Sequence, residues 1–164
     1  MKKYRFLSLL LLLPMVLTLF TAPAAALEEP DLFCTNAVLL DANYDEVLYD
    51  KGAYEKAYPA STTKVMTALL VLEAVDAGQL SLGQELTASR AAMTASLTDD
   101  GSTAGIQVGE VMTVEEYLTC MLVVSANEAC NVLAEAVSGS VEAFVDAMNT
   151  RAQELGCENT HFVN

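Results

Sequence analysis

The stretch Tyr58-Pro59-Ala60-Ser61-Thr62-Thr63-Lys64-Val65-Met66-Thr67 joins a proline-led turn to an apolar run. Beyond it, Val65, Ala68, Leu69, Leu72 and Val75 recur at helical spacing until Gly78, which predicts a helix opening near Ser61. On the first turn of that helix, Ser61 and Lys64 share a face with Cβ atoms about 5–6 Å apart. An amine at that distance can take the hydroxyl proton and make the oxygen a nucleophile. The helix N-terminus offers backbone N–H groups and the positive end of the macrodipole to an oxyanion. An N-capping serine followed by an exposed lysine has the same spacing, and Ser-x-x-Lys alone is common by chance.

Upstream, the first 26 of the 164 residues differ from the rest. Lys2, Lys3 and Arg5 precede an apolar run from Phe6 to Phe20, and Ala24-Ala25-Ala26 follows. This is the three-part pattern of a secretory signal peptide, and the run, interrupted by Pro14, falls short of the roughly 20 residues that span a bilayer. Cleavage after Ala26 would leave 138 residues that work outside the cytoplasm. The formal charge of the whole chain is −14. Past residue 26, five basic side chains (Lys51, Lys56, Lys64, Arg90, Arg151) stand against all 22 acidic ones, a charge of −17. Such a balance excludes electrostatic binding to nucleic acid or to an anionic membrane.

Downstream of the acidic lead-in at 27–33, Asn36 to Asp41 and Glu46 to Asp50 flank Ala42-Asn43-Tyr44-Asp45 and predict a β-hairpin. Residues 79–112 are expected to be irregular, with Gly101, Gly105 and Gly109 lying among polar loop residues. Thr113-Val114-Glu115-Glu116 has the form of a capping box, and Tyr117, Leu118, Met121 and Leu122 follow at helical spacing. Ser125-Ala126-Asn127-Glu128 repeats that form before Val132, Leu133 and Val137. A third helix is expected from Val141 to Leu155, closed by Gly156, with strand material at His161 to Asn164.

Cys34, Cys120, Cys130 and Cys157 all lie in apolar sequence and are expected as buried thiols rather than disulfides. No Cys-x-x-Cys occurs and His161 is the only imidazole, so no zinc site is expected. A Ser-His-Asp hydrolase is disfavoured as well, because no Gly-x-Ser-x-Gly is present. His161 and the methionines are expected to be structural.

A second candidate for chemistry is Ser125-Ala126-Asn127, at the junction of two helices. A hydroxyl there can relay a proton between an amine and a leaving group, and an Asn amide can both donate to and accept from a peptide. Its local alternative is again a cap: Ser125 starts the next helix and Glu128 completes the box.

An exported chain with Ser-x-x-Lys opening an apolar helix, and Ser-x-Asn 61 residues after Lys64, resembles the penicillin-recognising serine enzymes. Within them it is similar to the D-alanyl-D-alanine carboxypeptidases of peptidase family S11, the low-molecular-mass penicillin-binding proteins. The resemblance rests on residues 58–67, on Val124-Ser125-Ala126-Asn127-Glu128-Ala129 and on Leu155-Gly156-Cys157-Glu158-Asn159-Thr160-His161-Phe162-Val163-Asn164. The hairpin Asp41 to Lys51 adds to it, and the likeness runs from about residue 34 to 164.

The resemblance implies an α+β, β-lactamase/transpeptidase-like fold, an antiparallel sheet with a helical subdomain, here incomplete and helix-rich. Behind the signal peptide at 1–26, residues 27–164 would be the N-terminal part of that domain, stopping before its third motif. Ser61 would be the nucleophile that cleaves between two D-alanines of a peptidoglycan stem peptide, Lys64 its general base and Ser125 the proton relay. Asn127 would bind the substrate amide. No metal or organic cofactor is implied, penicillins would acylate Ser61, and membrane association would come only through further C-terminal parts.

The family's third motif, Lys-Thr-Gly, is absent: Lys51 precedes Gly52, Lys56 precedes Ala57, and Lys64 precedes Val65. The sequence is therefore expected to be the front part of a larger enzyme with little or no turnover alone. Two alternatives are a catalytically dead peptidoglycan-binding module and a β-lactamase. Against the latter, positions 158 and 162 are Glu and Phe, so neither Glu154 nor Glu158 starts the Glu-x-x-x-Asn of a deacylating site.

Overall fold

The computed structural model describes residues 28–95 and 101–164; the expected signal segment at 1–26 lies outside the described residues. The chain divides into two units, residues 1–57 and 58–164. In the first unit, β1 (Ala37–Asp41) pairs antiparallel with β2 (Glu46–Lys51), as the hairpin pattern predicts. The turn forms because the Asp41 carboxylate accepts from the Asn43 N–H at 2.9 Å and Asp45 adopts φ +52°. The register jumps between Leu39, which faces Tyr49, and Leu40, which faces Val47, so Leu48 forms a bulge. Gly52, at φ +57°, lies so near the preceding segment that a Cβ would stand 3.0 Å from the Thr35 carbonyl oxygen. Val38, Leu39, Leu40, Val47 and Leu48 remain about half exposed, so this unit has apolar side chains on both faces that it does not bury.

The second unit is built on helices. A one-turn 3-10 helix (Ala60–Thr63) leads into α1 (Lys64–Asp76), and α2 (Val114–Val123), α3 (Asn127–Ser138) and α4 (Val141–Glu154) follow. Residues 79–112 are less irregular than expected. β3 (Glu85–Thr87) pairs antiparallel with β4 (Val111–Thr113), a two-stranded sheet too short for an alternating pattern to stand out in the sequence.

Helix α3 is central, packed against α1, α2 and α4. Its buried Ala129 and Ala134 let neighbouring helices approach, and Val132 and Leu133 meet Val71, Tyr117, Met121, Phe144 and Met148 in one core. All five methionines among the described residues, Met66, Met93, Met112, Met121 and Met148, belong to this core or pack on it.

The face that α1 buries differs from expectation. Thr67, Val71 and Ala74 point inward, whereas Val65 and Leu72 are exposed. Apolar residues surround this helix, so periodicity could not choose a side; packing against α3 and α4 chose it.

Helix boundaries follow local chemistry. Thr113 is the last residue of β4 and the N-cap of α2; its hydroxyl accepts from the Glu116 N–H at 3.2 Å and Glu116 accepts from the Thr113 N–H at 2.8 Å. The Thr113 backbone and hydroxyl bonds hold the Glu116 carboxyl below its usual range. Gly139, at φ +82°, closes α3, and Ser140 caps α4 by accepting from the Ala143 N–H at 3.1 Å. Arg151 of α4 donates to Glu73 of α1 at 2.8 and 3.0 Å, a partly exposed tie between the two helices.

Two expectations need correction. His161 to Asn164 form no strand; the Asn149 side chain brackets Phe162, accepting from its N–H at 2.8 Å and donating to its carbonyl at 2.9 Å, so these groups find their partners on α4. All four cysteines are free thiols, but Cys34 and Cys157 are exposed and Cys120 and Cys130 only half-buried. An apolar neighbourhood in sequence does not place a side chain inside when its segment lies at the surface.

Two outcomes test this architecture. Phe144→Ala, which empties a fully packed position between α4 and α3, is expected to lower stability to urea by about 3–5 kcal/mol, against about 1 kcal/mol or less for Arg151→Ala. Ala60, at φ +49°, holds a conformation that strains any residue with a Cβ. Ala60→Gly is therefore expected to raise the unfolding midpoint, by up to about 1 kcal/mol in stability.

Candidate active site

Ser61 and Lys64 meet through two successive backbone devices. Pro59 fixes the start of the 3-10 turn, and its carbonyl accepts from the Thr62 N–H at 3.1 Å and the Thr62 hydroxyl at 2.7 Å. Ala60 then takes its left-handed conformation and leaves the Ser61 side chain exposed. The predicted helix thus begins three residues later than expected: Ser61 stands on the lead-in turn, and Lys64 is the first residue of α1. Its Nζ approaches Ser61 Oγ at 3.5 Å.

Ser125 and Asn127 occupy the joint between α2 and α3. The N–H groups of Val124 and Ala126 both donate to the Cys120 carbonyl, at 3.3 and 3.2 Å, and Ser125 between them adopts φ +61°. This turn overrides the expected capping box. The N-cap of α3 is Ala126, with no side-chain cap, and the Ser125 hydroxyl points away to donate to Ser61 Oγ at 2.8 Å. Asn127 turns its Oδ1 to Lys64 Nζ at 2.7 Å.

All four residues singled out from the sequence therefore converge, from two segments more than sixty residues apart. An amine, two hydroxyls and a carboxamide joined in one chain of hydrogen bonds can move a proton away from one hydroxyl and orient an amide substrate beside it. The N-terminus of α1 lies at the same place and adds a field that favours negative charge. Left-handed backbone at Ala60 and Ser125, on either side of the cluster, is the kind of strain that gathers at functional sites.

Two further residues border the site that sequence reasoning had placed elsewhere. Cys130, one turn along α3 from Asn127, donates to the Ala126 carbonyl at 3.4 Å. Burial pushes its thiol up to about 11 despite the opposing charge of Lys64, so it is a neutral neighbour rather than a rival nucleophile. Glu128 does not complete a box with Ser125. Its buried carboxylate accepts at 2.7 Å from the Thr103 hydroxyl and the Ala104 N–H. Burial alone would raise its pKa; hydrogen bonds from Thr103 and from the N–H groups of Glu128, Ala104 and Ile106 outweigh that and hold it below the usual carboxylate range. The glutamate in the first turn was visible in the sequence, but its partners lie 24 and 25 residues away. His161 is exposed. Among the described residues, no group of three or more His, Cys, Asp or Glu is placed to hold a metal ion.

Comparison with known proteins gives the same direction. The family model described as D-alanyl-D-alanine carboxypeptidase, peptidase family S11, matches residues 23–164. The D-alanyl-D-alanine carboxypeptidase DacF of Bacillus subtilis is 41% identical over 129 residues, covering 79% of this chain and 32% of that protein. The crystal structure of the D-alanyl-D-alanine carboxypeptidase DacD of Francisella tularensis superposes with a TM-score of 0.75 at 31% identity, covering 88% of this chain and 36% of that one. Penicillin-binding protein D2 of Listeria monocytogenes, in its ampicillin-bound form, superposes with a TM-score of 0.68 at 31% identity, over 83% of this chain and 53% of that one. The chain thus spans about a third of the length of that Bacillus relative, and its fold is the α+β penicillin-binding, transpeptidase-like fold. On the family model, the superpositions and the converging Ser61, Lys64, Ser125 and Asn127, the chain belongs to the serine D-alanyl-D-alanine carboxypeptidases of family S11.

Proposed function

We propose that this chain contributes the nucleophile and proton-transfer groups of a penicillin-sensitive D-Ala-D-Ala carboxypeptidase acting on peptidoglycan stem peptides. The supporting observation is the contact of Ser125 Oγ with Ser61 Oγ at 2.8 Å beside Lys64, whose Nζ lies 2.7 Å from Asn127 Oδ1. In the proposed reaction, Ser61 Oγ attacks the carbonyl carbon of the penultimate D-alanine while its proton passes to the Lys64 amine. The tetrahedral intermediate collapses, the C–N bond breaks, and Ser125 passes a proton to the departing amine of the terminal D-alanine. Asn127 holds the substrate amide. Water then attacks the Ser61 ester and releases the shortened peptide. A β-lactam carbonyl takes the place of the peptide carbonyl, and its ring opens to a longer-lived ester on the same oxygen.

Residues 1–26 act in this proposal as a cleavable signal, and residues 27–164 work on the extracytoplasmic side, where peptidoglycan lies. Turnover also requires donors that bind the substrate carboxylate and complete an oxyanion hole, which the family's Lys-Thr-Gly strand provides and this sequence does not contain.

Two experiments test the proposal. Extended by a reading frame that encodes Lys-Thr-Gly, the protein should take up a fluorescent penicillin as a label that survives denaturing electrophoresis. Ser61→Ala should abolish it and Lys64→Ala should slow it by at least about 100-fold. A label that persists in Ser61→Ala would overturn the nucleophile assignment, and fast drug hydrolysis with no lasting label would indicate a β-lactamase. Secondly, the 164-residue chain should release D-alanine from a pentapeptide at least about 100-fold more slowly than the extended protein. A stop codon at position 165, together with peptidoglycan binding and no labelling, would favour the dead binding module.

A further inference from the structure

Glu128 is 2% exposed and directly follows Asn127. Its Oε1 receives the Thr103 hydroxyl and the Ala104 N–H, and Thr103 Oγ1 in turn accepts from the Gly105 N–H at 2.9 Å. One residue earlier, the Asn127 N–H donates to the Ser102 carbonyl at 2.9 Å. Residues 102–105 are thereby fastened to two successive residues of α3. One turn further on, Asn131 Nδ2 donates to the carbonyls of Ala92 and Ala95 at 2.9 and 2.6 Å and holds residues 92–95 against the helix.

A buried carboxylate is costly to keep unless its hydrogen bonds compensate for lost water. Both groups bonded to Glu128 Oε1, the Thr103 hydroxyl and the Ala104 N–H, are donors. A glutamine could set its one oxygen against them, but as a neutral and therefore weaker acceptor than the carboxylate.

We propose that Glu128 is a positioning residue: by binding residues 103 and 104 to the first turn of α3, it sets the orientation of Asn127, and with it the Oδ1 that meets Lys64, and steadies the Ser125 turn. It acts through Asn127 and reaches neither Ser61 nor Lys64. The inference takes from the proposed function only that Asn127 and Ser125 belong to the site.

The test is nuclear magnetic resonance on the full chain, which needs no turnover. In Glu128→Gln the Ala104 and Asn127 backbone amides should exchange at least about tenfold faster, and the Asn127 side-chain amide resonances should move, while amides of α4 keep their rates. Glu128→Asp should recover part of the effect. If Glu128→Gln does not fold, Thr103→Val, which removes one donor, decides by the same resonances. Unchanged exchange at 104 and 127 with unmoved Asn127 side-chain resonances would overturn the proposal, and so would uniform acceleration across all four helices. Penicillin acylation separates the two ideas: an extended wild type that is never acylated sinks the proposed function but leaves the exchange result decisive for Glu128.

Discussion

The structure depends on how α3 is wedged among the other helices. Its alanines allow α1, α2 and α4 to close around it, and that closure brings the start of α1 against the start of α3. Helix starts carry free N–H groups and a positive field, so placing two together creates a region suited to developing negative charge. Ser61 and Ser125 are then neighbours because their helices are. Neither segment could be moved by more than a fraction of an ångström without opening the 2.8 Å contact between their hydroxyls.

Local signals in the sequence survived where the chemistry that defines them is local. The capping box at Thr113, the hairpin turn at Ala42 to Asp45 and the glycine stop after α4 each involve partners within a few residues, and each is found in the structure. The convergence of Ser61, Lys64, Ser125 and Asn127 was legible for a related reason: Ser-x-x-Lys and Ser-x-Asn are short patterns whose spacing is itself the constraint.

Other features were illegible because they are settled at long range. Ser125 and Glu128 had the form of a second capping box, yet Ser125 is drawn to Ser61 and Glu128 to the 103–104 segment. A cap bond and a tertiary bond compete for the same hydroxyl, and sequence spacing reports only the first. The buried face of α1 was likewise hidden, since a helix apolar on every side carries no directional pattern. The exposed Cys34 and Cys157 show the same limit from outside the core.

The diversion of Ser125 leaves α3 starting on an alanine, among the weaker residues for ending the open N–H groups of a first turn. Ala126 is itself fully buried in the core, where a serine, aspartate or asparagine would set a larger polar side chain among apolar neighbours. Any of these could draw the first turn toward itself and loosen the geometry that Ser125 and Asn127 share. The joint between α2 and α3 thus rests on a bare methyl group that fits the core and leaves the Ser125 hydroxyl to Ser61.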